Sequence, residues 1–341
     1  MLSIQGVGSS LPMRRVSNAE VAELVGMEAG RVAELFGVME RRWVRDAVRG
    51  TQGNGESVST LAIQAGRRAL QDAGLSAQEL DAVIAVSMTP EFISPPLDFL
   101  IRHDLGLSEG FGLSLQAACT GIFRAAVLAE TLLETGRATK VLIVAADAGS
   151  PYFVFDRNLP KDLRMSMALY GDGAGALVVE GCGRGGLARL ESPLAVSTAT
   201  DQSPGISLRS PVSYRTSRPE GSDCRQTAYH DFRRVLELGG PLTRRAADAV
   251  LKGIGLDFDD VDHLLIHQAT GNMKRIVASL GMPADKLRLN IEHVGNTLSP
   301  STLILLDELK RQDTFRPGEL VLMASAESAT WSYGGMALRW N

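Results

Sequence analysis

The strongest constraint on what this chain can fold into is that it repeats itself. Leu70-Gln71-Asp72-Ala73-Gly74-Leu75, followed by Leu80-Asp81-Ala82-Val83-Ile84, returns as Leu251-Lys252-Gly253-Ile254-Gly255-Leu256, followed by Val261-Asp262-His263-Leu264-Leu265. In both copies a helix end turns through Gly-Leu into a strand led by aspartate, Leu251 lying 181 positions after Leu70 and Asp262 181 after Asp81. Leu105-Gly106-Leu107 matches Leu280-Gly281-Met282, and Val141-Leu142-Ile143-Val144 matches Leu320-Val321-Leu322-Met323, in the same order. Three ordered matches imply an internal duplication. Strands alternating with helices in each copy argue for an α/β fold with two related sheets sharing buried helices. The halves are expected at 1–180 and 181–341, joined in the glycine-rich Gly181-Cys182-Gly183-Arg184-Gly185-Gly186.

Local signals fill in the first half. Residues 1–7 read as a strand and 8–12 as a turn. Ser17 caps a helix carrying Val21, Leu24 and Val25. A helix is expected from Val58 to Ala73 with Gly74 as its C-cap, and a buried strand over 81–87. The Pro-rich piece 89–96 leads to a helix that stops near Gly106, and 141–146 is another strand. Residues 46–57 form a polar, Gly-containing loop. The Ser-, Pro- and Arg-rich segment 198–225 reads as a long surface insertion, a kind of loop that often carries function.

Composition excludes several classes. A net charge of -4 argues against a nucleic-acid footprint. No apolar run approaches the ~20 residues that cross a bilayer. Three cysteines without a basic, apolar leader indicate a reduced compartment and no disulfide framework, so a cytoplasmic protein is expected. Cys182 and Cys224 lie in polar or glycine-rich loops.

Chemistry concentrates at Leu113-Ser114-Leu115-Gln116-Ala117-Ala118-Cys119-Thr120-Gly121, where a short apolar strand meets a helix. A thiol at the first turn of a helix faces unpaired N–H groups and the positive dipole end, which stabilise a thiolate and suit a nucleophile. His267 ends the apolar strand Leu264-Leu265-Ile266, and Asn296 stands at the turn before the helix led by Ser299-Pro300-Ser301. If the halves pack face to face, these positions meet at the seam. Thiol, imidazole and amide then make a nucleophile, a proton carrier and a hydrogen-bond donor. His263 and His267 are four apart, but no third ligand has metal spacing, so no metal is expected. Gly171-Asp172-Gly173-Ala174-Gly175 lacks the Lys-Ser/Thr of a phosphate loop and reads as a tight turn.

Ala117-Ala118-Cys119-Thr120-Gly121, Tyr170-Gly171-Asp172-Gly173-Ala174-Gly175-Ala176, His267-Gln268-Ala269, Gly295-Asn296-Thr297 and Leu306-Asp307-Glu308 together resemble a β-ketoacyl-ACP synthase III relative of the thiolase superfamily. The resemblance implies a duplicated thiolase fold in αβαβα layers, a homodimer, and a Cys119-His267-Asn296 triad. Cys119 takes an acyl chain from a thioester. His267 and Asn296 bind the second thioester carbonyl and stabilise its enolate. The backbone N–H groups of Cys119 and Ala329 form the oxyanion hole. No resident cofactor is implied, since substrates ride on the phosphopantetheine of acyl carrier protein or on CoA.

Departures from that family point to a specialised member. Glu327-Ser328-Ala329-Thr330 stands where a glycine run belongs. Arg31 and Leu35 occupy the places of a tryptophan that stacks on adenine and of an arginine, which favours carrier-bound over CoA-bound acyl groups. Lys274 and Arg275 are candidate docking charges for the carrier, or ordinary solvated helix charges. Glu91 and Glu327 are candidate bases for removing an α-proton, or structural carboxylates. The expected reaction is Claisen-type condensation with a second carrier-bound β-ketoacyl chain, as in pyrone-forming, chain-interconnecting ketosynthases. Decarboxylative condensation with malonyl carrier, acyl transfer to a hydroxyl or amine, and a non-catalytic partner subunit are the alternatives. Intact Cys119, His267 and Asn296 argue against the last.

Overall fold

Nine strands of the computed structural model form one mixed sheet: β1 (Leu2–Ser10), β2 (Ala82–Val86), β3 (Phe111–Leu115), β4 (Lys140–Asp147), β5 (Gly173–Gly181), β6 (Ala188–Ser197), β7 (His263–Ile266), β8 (Leu320–Glu327) and β9 (Ser332–Trp340). The order across the sheet is β7-β8-β9-β6-β1-β5-β4-β2-β3. The structure describes residues 2–46, 51–52, 55–152, 164, 166–181, 185–198, 203–208 and 228–341. Cys182, Cys224, most of the 198–225 insertion and parts of the 46–57 loop and of the 181–186 join lie outside them.

The strand order makes the duplication visible. In the first copy β3, β2, β4, β5 and β1 follow one another; in the second, an isolated bridge at Leu287 is followed by β7, β8, β9 and β6. Each parallel or antiparallel pairing in one copy has its equivalent in the other. The copies fuse where β1 pairs antiparallel with β6, Leu2 opposite Leu190, so the two expected sheets meet in a continuous ladder. One alignment shifts by a residue. Asp81 N–H donates to Lys140 O and Asp262 N–H to Leu320 O, so Lys140, not Val141, is equivalent to Leu320. Two apolar runs of the same pattern can slide along each other in sequence; the hydrogen-bond ladder cannot.

The α-helices whose residues are described throughout are α1 (Asn18–Val25), α2 (Ala29–Phe36), α3 (Val58–Ala73), α4 (Leu97–Leu105), α5 (Gly121–Glu134), α6 (Phe232–Ile254), α7 (Met273–Ser279) and α8 (Ser301–Arg311), besides the single turn Ile291–Val294. Ser17 caps α1 as expected. Helix α3 begins with a Ser57 capping box and stops at Gly74, whose φ is 66°. Strand β1 runs to Ser10, paired with Ala174, so the first turn starts later than Gly8.

Layering follows from which faces are apolar. Helices α3 and α4 cover the outer face of the first copy, and α6 and α7 that of the second. Helices α5 and α8 lie between the copies and touch strands of both. Helix α8 is buried nearly all round, including Leu303, Ile304, Leu305, Leu306 and Leu309, as a helix between two layers must be. Strand β2 is buried at every residue because helices cover both its faces, which explains its unbroken apolar run. The result is the αβαβα arrangement. Among the described residues no helix is long and apolar enough to cross a membrane.

The flanks of the 198–225 segment differ from a surface loop. Ile206–Leu208 pairs antiparallel with Ala228–His230, and Gly205 N–H donates to Ser328 O at 2.9 Å. This ribbon walls the central cavity instead of lying outside it.

Candidate active site

Strand β3 delivers the chain to Cys119, and α5 leaves from it. Gly121 opens α5 directly against β2: a Cβ there would lie 2.3 Å from Val86 Cγ1, so only glycine allows this approach. Cys119 itself stands one residue before the N-cap, Thr120, and not within the first turn. The Thr120 hydroxyl makes no capping bond and goes instead to Glu327 at 2.7 Å.

The second copy supplies the partners. His267 follows the end of β7, its backbone N–H held by Ala324 O at 3.1 Å. Its Nε2 lies 3.2 Å from Cys119 Sγ. Gln268, fully buried, accepts at Oε1 from the N–H groups of Asn290 and Ile291 at 2.8 Å each and donates from Nε2 to Asn290 Oδ1. It thereby locks the His267 loop to the segment that carries Asn296. Asn296 is pinned by its N–H to Leu169 O at 2.9 Å and its carbonyl to Gly171 N–H at 3.0 Å. A Cβ on Gly171 would lie 1.9 Å from Val294 O, so the Gly-Asp-Gly turn is what admits the Asn296 loop. Asn296 Oδ1 accepts from Leu298 N–H at 3.0 Å, which fixes the amide and leaves Nδ2 as its donor. Leu298 adopts φ 60°, a strained conformation for a side chain of that size, beside the site.

The electrostatics correct one expectation. Burial raises the Cys119 thiol well above its ordinary value, and the charges of Glu327 and Asp147 raise it further, against the lowering effect of its own N–H. Burial and these two charges thus oppose the thiolate that the helix start favours. Burial lowers His267 to about 4, so the imidazole is neutral near pH 7. A neutral imidazole within hydrogen-bond reach of a thiol can take its proton as the sulfur attacks, then return it to a leaving thiol.

The remaining sequence-predicted residues separate. Ser328 lines the cavity and Ala329 follows it in the turn from β8 to β9; among the described residues the Ala329 N–H meets no acceptor. Glu327 is buried with both carboxylate oxygens engaged. Glu91 is exposed and caps α3 through Ser59, accepting its N–H at 3.0 Å and its hydroxyl. Lys274 and Arg275 are exposed on α7, whose other face lines the cavity through Met273, Ile276 and Val277. Arg31 pairs with Glu34 at 2.8 Å on the exposed face of α2. Among the described residues no group of three His, Cys, Asp or Glu side chains could hold a metal. His263 faces Glu319 and Arg288, away from His267's partner.

Sequence reading missed Asp147 and the Tyr170-His230 pair. Asp147 is fully buried at the end of β4 and accepts from the N–H groups of Met88 (2.8 Å), Thr89 (2.9 Å) and Ser299 (3.0 Å), tying two loops to the strand end beneath the site. An aspartate ending the apolar run 141–146 was the available signal. Tyr170 hydroxyl lies 3.3 Å from His230 Nδ1 in the cavity wall, and burial lowers His230 to about 4. His230 adjoins the insertion and carries no motif.

Cys119, His267 and Asn296 share one cavity. Its wall is mostly apolar, with Leu169, Ile206, Ile276 and Leu280, so it suits an acyl chain with polar recognition confined to the thioester.

Comparison with known proteins identifies the family. The profile of 3-oxoacyl-[acyl-carrier-protein (ACP)] synthase III matches residues 113–196, and that of its C-terminal part matches residues 251–340. A β-ketoacyl-[acyl-carrier-protein] synthase III of Rhizorhabdus wittichii is 30% identical, with 98% of each chain covered. The priming β-ketosynthase of the R1128 polyketide biosynthetic pathway superposes with a TM-score of 0.83 at 28% identity, covering 100% of this chain and 96% of that one. The tetronic acid condensing enzyme AbyA1 shares the fold with a TM-score of 0.89 at 24% identity, covering 99% and 100%. The chain belongs to the 3-oxoacyl-[acyl-carrier-protein] synthase III family of thiolase-fold condensing enzymes.

Proposed function

We propose that this condensing enzyme loads an acyl group from a carrier protein onto Cys119 and joins it, by Claisen-type condensation, to a second carrier-bound β-ketoacyl thioester. The observation that carries the reading is the 3.2 Å contact of Cys119 Sγ with a neutral His267 in a cavity shared with Asn296. In the first half-reaction His267 takes the thiol proton, sulfur attacks the thioester, and the N–H groups of Cys119 and Ala329 receive the oxyanion. The pantetheine thiol leaves with the proton from His267. In the second, His267 Nε2, its proton gone with the pantetheine thiol, takes the α-proton of the incoming β-ketoacyl thioester. The resulting Nε2–H and Asn296 Nδ2–H stabilise the enolate oxygen. The enolate carbon attacks acyl-Cys119, and the proton passes from His267 to the Cys119 sulfur as it leaves.

Carrier delivery is supported by the relatives' names and by α2. Arg31 is paired with Glu34, Leu35 is partly buried, and neither offers an aromatic face to an adenine. Lys274 and Arg275, exposed on the helix that walls the cavity, are the proposed carrier-docking charges. Substrates bring their own phosphopantetheine, and no resident cofactor enters the scheme. A homodimer is proposed from the edge of the sheet. Strand β3 ends it and carries the exposed Phe111, and α4, packed against β3, carries the exposed Phe99. The polyketide source of the R1128 relative supports a specialised biosynthetic role.

A specific observation favours a second reading, decarboxylative condensation with malonyl carrier. Glu91 and Glu327, the candidate bases, are both committed to backbone N–H groups, and decarboxylation generates the enolate without a base. Incubation with two β-ketoacyl carriers, or with one acyl and one malonyl carrier, decides between them. A joined product without CO₂ release supports chain joining, and CO₂ release coupled to product supports the second reading. An O- or N-acyl product with no new carbon–carbon bond refutes both.

A further inference from the structure

We propose that Glu327 is a positioning residue: it fixes the two sides of the oxyanion hole to each other and places a negative charge under the nucleophile. The proposal rests on Cys119 as the acylated residue, and it replaces the reading of Glu327 as a base. Glu327 ends β8 and is 2% exposed. Its Oε2 accepts from the Thr120 hydroxyl at 2.7 Å and from the N–H groups of Ala118 at 3.2 Å and Thr120 at 3.4 Å, the residues on either side of Cys119. Its Oε1 accepts from the Thr330 hydroxyl at 2.8 Å, in the turn that holds Ala329. One carboxylate therefore spans both turns whose N–H groups form the proposed hole.

The surroundings are built for an acceptor that carries charge. Ser332 Oγ lies 3.0 Å from Thr120 Oγ1 and 3.2 Å from Thr330 Oγ1, closing a ring of hydroxyls around the carboxylate. Arg124 donates to Ser332 at 2.9 Å and to Thr330 at 3.3 Å, so its charge reaches Glu327 through hydroxyls. A glutamine in this place must turn its NH₂ toward one of the two sets of donors, because only a carboxylate accepts at both oxygens. A base, by contrast, needs an oxygen open to substrate, and both are taken.

The groups facing the Cys119 sulfur are Glu327 from β8, Asp147 from β4, His267 after β7 and Tyr170 ahead of β5, with His230 on Tyr170. Of these, Glu327 and Asp147 bring the negative charge that raises the thiol.

The test uses E327Q and T330V, Thr330 being exposed and replaceable without opening the core. Two measurements are made on folded protein: the pH midpoint of Cys119 alkylation by iodoacetamide, and the rate of acylation by octanoyl-N-acetylcysteamine. In E327Q the midpoint should fall by about half a unit or more, while acylation slows roughly tenfold or more. In T330V acylation should slow by about threefold with the midpoint unmoved, since only the Ala329 side is released. Wild-type acylation rates in both variants overturn the positioning role, and an unchanged midpoint in E327Q overturns the charge. If E327Q does not fold, T330V decides: slower acylation supports the clamp, a wild-type rate overturns it. A wild type that refuses the thioester refutes acylation of Cys119, a separate failure, and the alkylation midpoint still decides the charge.

Discussion

Replacing Asn296 should separate the two half-reactions. Its amide is held before substrate arrives, by backbone bonds of 2.9 and 3.0 Å and by Leu298 N–H on Oδ1. Nδ2 is then a donor set in place for an enolate oxygen, and losing one such donor costs about 2.7–4 kcal/mol, or 10²–10³ in rate. Asn296→Asp keeps the Leu298 bond but puts a carboxylate where the donor stood, so it should lose condensation by at least ~10²-fold, with some loss of stability from the buried charge. Asn296→Ala should lose condensation similarly and also destabilise the protein by about 1–3 kcal/mol, because the buried Leu298 N–H loses its acceptor. Both should still acylate Cys119 within about threefold of wild type, since the amide serves only the second thioester. Intact-protein mass spectrometry follows the first step and product quantitation the second. Condensation by Asn296→Asp within about tenfold of wild type, or equal loss of both steps, would refute the assigned role.

Three further outcomes follow from the same geometry. With His267 lowered to about 4 and Cys119 raised, the reactive neutral pair persists between those two limits. Acylation kcat/KM should therefore hold level as pH falls from 8 to about 5 and drop only as the imidazole is protonated near 4; an acid limb near the ordinary histidine value of ~6.5 would contradict it. Asp147→Ala leaves the N–H groups of Met88, Thr89 and Ser299 without their acceptor, at roughly 1–3 kcal/mol each, and urea denaturation should show most of the stability lost. Gly171→Ala, with a Cβ 1.9 Å from Val294 O, should lower the melting temperature and displace Asn296, so that condensation falls more than acylation.

The fold was legible where the pattern is local. The Ser17 cap, the Gly74 stop and the repeated Gly-Leu turns each follow from backbone rules that a single stretch satisfies, and the structure shows them as read. The duplication was legible because a repeat needs no knowledge of contacts. Its register was not, since Val141 and Lys140 suit Leu320 equally until Asp81 and Asp262 choose between them. The seam brought Cys119, His267 and Asn296 together as expected from strand ends and a helix start. What sequence could not show is the sign of the thiol's surroundings. The helix-start argument favours thiolate, yet it omits Glu327 and Asp147, whose positions depend on contacts 207 and 152 residues apart in the chain, to Thr120 and Ser299. Glu91 and Glu327 likewise have the chemistry of a base, and only their hydrogen-bond partners show that each is occupied.

The most direct measurement is peptide-level mass spectrometry after a carbon-13-labelled β-ketoacyl carrier protein is mixed with the enzyme, followed by chase with a second carrier-bound thioester. The label should appear as a thioester on the peptide containing Cys119, be absent in Cys119→Ala, and move on chase into a product with a new carbon–carbon bond. Label on another residue, or label that leaves Cys119 only as free acid or as an ester or amide, would contradict a condensing enzyme built on Cys119, His267 and Asn296.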